Sequence, residues 1–139
     1  MAWTLVVGAV AAAGVLWSLY FRFKDRLRPE PLKAVIGAVA LGGVAAGLAV
    51  AVFRLLAALG LPEEPPESAL PLLAYCIAVI GVVEEGLKFA VVRLVVVRWR
   101  EFDEVIDGLF YAAMAAIGFA SVENLVRAGD AFWPEQLAR

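Results

Sequence analysis

The sequence predicts an all-α, polytopic transmembrane helical bundle with four spans in this chain, and three observations predict it. The 139 residues are 63% hydrophobic and only 19% charged, with a mean hydropathy of +0.86. A soluble domain is about 45–50% apolar with about a quarter of its residues charged. Four apolar stretches each approach the roughly 20 residues that cross a bilayer. Basic residues gather in alternate connections between those stretches. Disorder, a coiled coil and a disulfide framework are excluded by this composition, since the single cysteine, Cys76, lies within an apolar run. A net charge of −2 gives no reason to expect a nucleic-acid partner, and there is no histidine.

The first span, 2–21, holds no charge. A cleaved signal peptide would carry positive charge before its apolar core; here the basic residues come after it, so the helix reads as retained. Trp17, Tyr20 and Phe21 suit its interfacial end. In the second span, 33–59, residues Ala34 to Phe53 are uncharged, and Ala38, Gly42 and Ala46 fall on one line with Gly43 and Gly47 on a neighbouring one. Such a small-residue face lets another helix approach closely in lipid. Gly60 to Ser68, with three prolines, cannot continue a helix and reads as a turn. Spans 69–97 and 104–128 complete one membrane domain over residues 1–139.

Loop charges give an orientation. The first connection carries Arg22, Lys24, Arg26, Arg28 and Lys33, and the third is flanked by Arg93, Arg98 and Arg100. The second has Glu63, Glu64 and Glu67 with no basic residue. The N-terminus is therefore expected outside, with loops 22–33 and 98–103 in the cytoplasm.

Charges inside the third span break the anchor-like pattern. Fifteen uncharged residues, Ala69 to Val83, precede Glu84, Glu85 and Lys88. Each charge at the centre of a span costs about 2.5–3.5 kcal/mol on insertion scales. Glu84 and Lys88 lie one helical turn apart with Gly81 on the same side, whereas Glu85 sits about 100° from Glu84 and about 60° from Lys88. A purely structural Glu84–Lys88 pair leaves Glu85 in need of a proton or water. Arg93 and Arg98 need only snorkel to the surface. Function is therefore the favoured reading of the acidic pair. In the fourth span Asp103, Glu104 and Asp107 stand at the start, and Glu123 and Asn124 towards the far end. A line of Gly108, Ala112 and Ala116 leads past Phe119 to the side of Glu123. Asp107 lies about 24 Å from Glu123 along a straight helix, on nearly the opposite side, and can equally serve as an acid favoured by the helix dipole. Glu123 has a structural partner one turn on, Arg127.

Three segments resemble a known family. Val83-Glu84-Glu85-Gly86-Leu87-Lys88 is similar to the EExxK motif of the PrsW family of intramembrane proteases, which belongs with the CAAX-protease and Abi-type membrane proteins. The run from Phe102 to Leu125 resembles that family's second motif, and Arg28-Pro29-Glu30-Pro31 its PEP element. The resemblance implies hydrolysis of peptide bonds at membrane depth in the bacterial cell membrane, with membrane-anchored proteins such as anti-sigma factors as substrates. Glu84 and Glu85 match the catalytic pair, Lys88 the basic residue, and Glu123 the position where related families place a histidine after Phe119. Asn124 completes the EN element, with Asp107 in a supporting position. The family expects a further histidine on a later helix. The chain ends at Arg139, close to where that helix would begin, so it reads as the N-terminal part of a longer protein.

Peptide hydrolysis needs an activated water, a stabilised oxyanion and a proton for the leaving amine. Glu84 or Glu85 would be the base, with Lys88 balancing charge. A divalent metal such as zinc accepts carboxylates, for which Glu84, Glu85 and Glu123 are the candidates, although catalytic zinc sites usually include histidine. The sequence leaves a metalloenzyme and a metal-free glutamate mechanism both open. Measured from the loop near Phe102, Glu85 lies about 25 Å and Glu123 about 31 Å along their helices, a mismatch that tilt can close. Two other classes compete: a non-catalytic membrane protein that binds a partner helix, and an ion or proton pathway. The second is disfavoured by the lack of polar residues between Lys33 and Arg54. With Cys76 replaced, a Pro65→Cys variant in intact cells should react with a membrane-impermeant maleimide from outside. Labelling only from the cytoplasmic side overturns the orientation.

Overall fold

The computed structural model describes residues 2–24, 29–62 and 65–137, with backbone only at 2 and 130–137. The loop charges Arg26, Arg28, Glu63 and Glu64 lie outside the described residues. Helix α1 is Ala2–Lys24 and α2 is Leu32–Ala58. Helices α3 (Ala69–Tyr75) and α4 (Val82–Leu94) are joined by a π-helical segment, Cys76–Gly81, and α4 is followed by a 3-10 turn, Val96–Arg98. Helix α5 is Val105–Leu137. Four segments are long and apolar enough to cross a membrane: Trp3–Lys24, Leu32–Ala58, Ala69–Arg98 and Val105–Gly129. The described residues contain no strand. The architecture is all-helical with four spans, and the protein is an integral membrane protein.

Helix boundaries follow local chemistry. Pro31, at φ −65°, starts α2 by offering its carbonyl to the N–H groups of Ala34 (2.9 Å) and Val35 (3.2 Å). At the other end Gly60 takes φ +95°, its N–H donating to the Ala57 carbonyl at 2.9 Å while Leu61 N–H reaches the Leu56 carbonyl at 3.0 Å. This is a Schellman termination, in which glycine supplies the left-handed residue. The start of α5 is fixed by Asp107, whose Oδ2 accepts N–H bonds from Asp103 (2.9 Å) and Glu104 (2.7 Å). The carboxylate satisfies donors that a helix N-terminus otherwise leaves unpaired.

Helices α2 and α5 form the most extensive pairing, and it is a backbone-to-backbone crossing. A Cβ at Gly42 would lie 1.9 Å from the Ala115 carbonyl oxygen, and one at Gly118 would lie 1.9 Å from that of Val39. Around this crossing Ala38, Ala45, Ala46 and Ala49 of α2 bury against Tyr111, Met114, Ala115 and Phe119 of α5. The Ala38–Gly42–Ala46 line is therefore the contact face of α2. The neighbouring line shares it only at Gly43, where a Cβ would come 3.2 Å from Val122 of α5, whereas Gly47 faces open space. On α5 Ala112 and Ala116 are exposed, and the buried face runs through Tyr111, Met114, Ala115, Gly118 and Phe119. Bulk decides this, since lipid rewards dense packing around a close crossing rather than smallness alone.

Helix α1 packs on α5, where a Cβ at Gly14 would come 3.3 Å from Ser121 Oγ. Helix α4 lies against both α2 and α5 through Val83, Leu87 and Val91. At the end of the bundle opposite the 60–68 turn, the Tyr111 hydroxyl donates to the buried Glu30 carboxylate, and Arg22 Nη1 donates to the Glu30 carbonyl at 2.6 Å. Trp99, Phe102 and Phe110 surround the Tyr111 ring with centroids 5.7, 6.4 and 5.6 Å away. Lys33 and Glu101 pair at 3.2 Å across the same end. The Glu101 carboxyl is held below its ordinary value by its own backbone N–H and then by Lys33. Its contribution is thus present at neutral pH and lost as pH falls through the carboxylate range, and exposure keeps it small.

Gly118→Ala should destabilise the protein by about 1–3 kcal/mol through overpacking, read as a lower midpoint in detergent-titrated unfolding. Gly47→Ala should leave the midpoint unchanged; equal effects at the two positions contradict the crossing.

Candidate functional site

The third span places its charges through a break that helical periodicity gives no sign of. The π segment ends at Gly81, where a Cβ would stand 3.2 Å from the Cys76 carbonyl oxygen five residues earlier. A π turn inserts an extra residue and so rotates the helix beyond it. The residues re-aimed in this way are those in the first turn of α4, Glu84 and Glu85 among them.

The two acids separate. Glu84 turns into a small cavity of about 150 Å³ between α2, α4 and α5, walled by Phe53, Phe119 and Val122 and shared with Glu123 and Arg127. It makes no hydrogen bond or ion pair with any described residue. It also lines a second cavity, of about 610 Å³, that extends to the 60–68 turn. Glu85 points away from both, with its side chain 73% exposed, and receives Lys88 Nζ at 2.7 Å. The expected structural pairing is therefore corrected: Lys88 bonds to Glu85 rather than Glu84, and the unpaired carboxylate is Glu84. Lys88 lies between the two, about 40° from Glu84 and about 60° from Glu85 on a regular helix, so the offsets permit either pairing. Lys88 is further held 4.3 Å above the Phe119 ring centroid, a cation–π contact that fixes its ammonium beside the cavity wall.

Glu123 reaches the cavity from α5 with its side chain 29% exposed, and Arg127 Nη2 binds it at 2.5 Å. The two carboxylates thus come from different spans, α4 and α5, whose relative position depends on the crossing at Gly118. The other candidates lie elsewhere. Asp107 caps the start of α5, at the far end of the span. Asn124 lines a groove of about 500 Å³ between α1 and α5, on the opposite side of α5 from the Glu84 cavity. The buried Glu30–Tyr111 pair was not singled out by sequence reasoning; its only sign was that Glu30 falls in the PEP element. Phe53, a cavity wall, gave no sign beyond its apolar character.

A carboxylate at mid-span costs several kcal/mol unless it meets water, a proton or a counter-charge, and such residues mark functional sites. Glu84 meets open space beside a second carboxylate. That arrangement can take a proton from a bound water or contribute oxygen ligands to a cation. Among the described residues no group of three or more His, Cys, Asp and Glu converges. Catalytic zinc takes three protein ligands, so Glu84 and Glu123 do not by themselves complete a metal site.

Fold and site together define a polytopic membrane protein with an intramembrane carboxylate centre. A sequence profile described as PrsW family intramembrane metalloprotease matches residues 30–137. Protease PrsW of Geobacillus kaustophilus (strain HTA426) is 32% identical over 121 residues, covering 87% of this chain and 51% of that protein. Protease PrsW of Clostridioides difficile (strain 630) is 31% identical over 113 residues, covering 81% and 44%, and that of Bacillus subtilis (strain 168) is 28% identical over 121 residues, covering 87% and 52%. The chain belongs to the PrsW family. It spans about half the length of these curated relatives. No solved structure matches it significantly.

With Cys76 replaced, Glu84→Cys and Glu123→Cys introduced together should be bridged by a short bifunctional thiol reagent, and Glu85→Cys with Glu123→Cys should not. Equal bridging of both pairs contradicts the outward placement of Glu85.

Proposed function

We infer that the protein hydrolyses peptide bonds of membrane-anchored proteins within the bilayer, anti-sigma factors being the substrate class the family resemblance implies. The observation that carries this reading is the convergence of Glu84 and Glu123, from two spans, on one cavity at membrane depth. Glu84 is the general base: it takes a proton from a water as the water oxygen attacks the scissile carbonyl, and the proton then passes to the departing amine. Arg127 holds Glu123 at the cavity edge. Glu85 acts at one remove, by holding Lys88 over Phe119 so that a positive charge stands beside the cavity. Asp107 supports the site only by capping the start of α5, and Asn124, on the α1 side of that helix, stays outside the step. A divalent metal such as zinc would need protein ligands beyond the Glu84 and Glu123 carboxylates that share the cavity. The proposed setting is the bacterial cell membrane, with the N-terminus outside and loops 22–33 and 98–103 cytoplasmic.

In the full-length protein, Glu84→Gln should lower cleavage of a single-span substrate by about 100-fold or more, the scale of general-base catalysis, without loss of membrane insertion. Glu85→Ala should also lower it, and Glu85→Gln less so because the amide oxygen still accepts from Lys88. Undiminished cleavage by Glu84→Gln removes the proposal.

A further inference from the structure

The smaller cavity beside Glu84 is walled mostly by hydrocarbon. Ala46, Ala49, Val50 and Phe53 line it from α2, and Phe119 and Val122 from α5. Positions 46, 49, 50 and 53 share one helical face, and its two alanines are buried in a cluster with Phe119. Alanine at 46 and 49 leaves the space open, since a longer side chain at either position would enter it. The volume is about 150 Å³; an apolar cavity of about that size holds one benzene-sized guest. Val50, Phe53 and Glu84 line the larger cavity too, so the two spaces meet at the Glu84 carboxylate. The hydrolytic step uses the carboxylate at this junction and makes no use of the apolar recess behind it.

We propose that this recess is a specificity pocket for one aliphatic substrate side chain, of leucine or methionine size, next to the scissile bond, with Ala49 setting its depth. This rests on the hydrolytic reading in one respect, that the reacting bond lies at Glu84. The peptide backbone and the attacking water then occupy the larger cavity, and the neighbouring side chain points between α2 and α5. Leaving lipid gains an apolar side chain little, so selection comes from close contact. A leucine in the recess gains dispersion contacts with Phe53, Phe119 and Val122. Alanine leaves the recess empty, and tryptophan is too large for it.

The test uses the full-length protein in detergent and single-span substrates with alanine, leucine or tryptophan at either residue flanking the scissile bond, which mass spectrometry of the products locates. At one of the two residues, wild-type protein should favour leucine over both alanine and tryptophan by about tenfold or more in kcat/KM, the scale of a missing methylene in an apolar pocket. Ala49→Leu fills the recess and should reverse the order of leucine and alanine. Phe53→Ala, which only removes atoms, should bring tryptophan up towards leucine. Dissociation constants of the same substrates, fluorescently labelled, for a Glu84→Gln variant should follow the wild-type order and reverse when Ala49→Leu is added. Equal treatment of alanine and leucine at both flanking residues, in cleavage and in binding, overturns the proposal, and the recess is then a void of the fold. A leucine preference that neither Ala49→Leu nor Phe53→Ala alters overturns it as well. The expected order in binding, with cleavage undiminished by Glu84→Gln, keeps the pocket and removes Glu84 as the base.

Discussion

The crossing of α2 and α5 at Gly42 and Gly118 is the constraint on which the rest of the molecule depends. In lipid, apolar side chains gain little by leaving one hydrocarbon environment for another, so helix association depends on dispersion contacts at short range. The two glycines let each backbone approach the other's carbonyls, and the approach fixes depth and rotation together. Phe119 comes directly after Gly118 and Glu123 lies five residues on, so the register at the crossing sets where the aromatic wall and the second carboxylate stand. Helix α4 then needs only to lie in the angle between the two.

The acidic residues held by this crossing divide by what they do. Asp107 satisfies the amides at the start of α5. Glu30 binds Tyr111, Glu101 binds Lys33, Glu85 binds Lys88 and Glu123 binds Arg127. Each of these groups offsets its desolvation locally. Glu84 has no such partner and faces a cavity instead. Among the acids named here Glu84 is the one that no described residue meets with a hydrogen bond or ion pair, and it stands beside a second carboxylate. Lys88 does not bond to Glu84, since its ammonium is engaged by Glu85 and by the Phe119 ring.

Much of the architecture was legible in the sequence because lipid imposes simple requirements. Span number comes from charge-free length, the turn at 60–68 from its prolines, and the α2 face from small residues at helical spacing. The same logic does not carry over to α5, where Ala112 and Ala116 form a small-residue line yet face outwards. Helical spacing states which residues share a face, not which face meets a neighbour; on α5 the choice falls to Tyr111, Met114 and Phe119, whose bulk fills the space around the glycine contact. The π segment was illegible because nothing in CIAVIG distinguishes a five-residue from a four-residue hydrogen-bond pattern. The Glu30–Tyr111 bond joins residues 81 positions apart, and no local pattern announces it.

The site was legible as a set of residues but not as a geometry. Adjacent acids in a helix point about 100° apart, so both can face one cavity only if it wraps around the helix. Here the cavity lies on one side of α4, bounded by α2 and α5, and one acid must turn away. Which one is settled by the aim of the helix, set by the π segment immediately before it, and by the depth at which Glu123 arrives from α5. The lysine three residues after Glu85 makes the outward position tolerable, since it supplies a counter-charge while its ammonium stays over the Phe119 ring. Two neighbouring glutamates thus take two placements, one facing the cavity and one bonded to a lysine beside it, and only the packing of three helices assigns them.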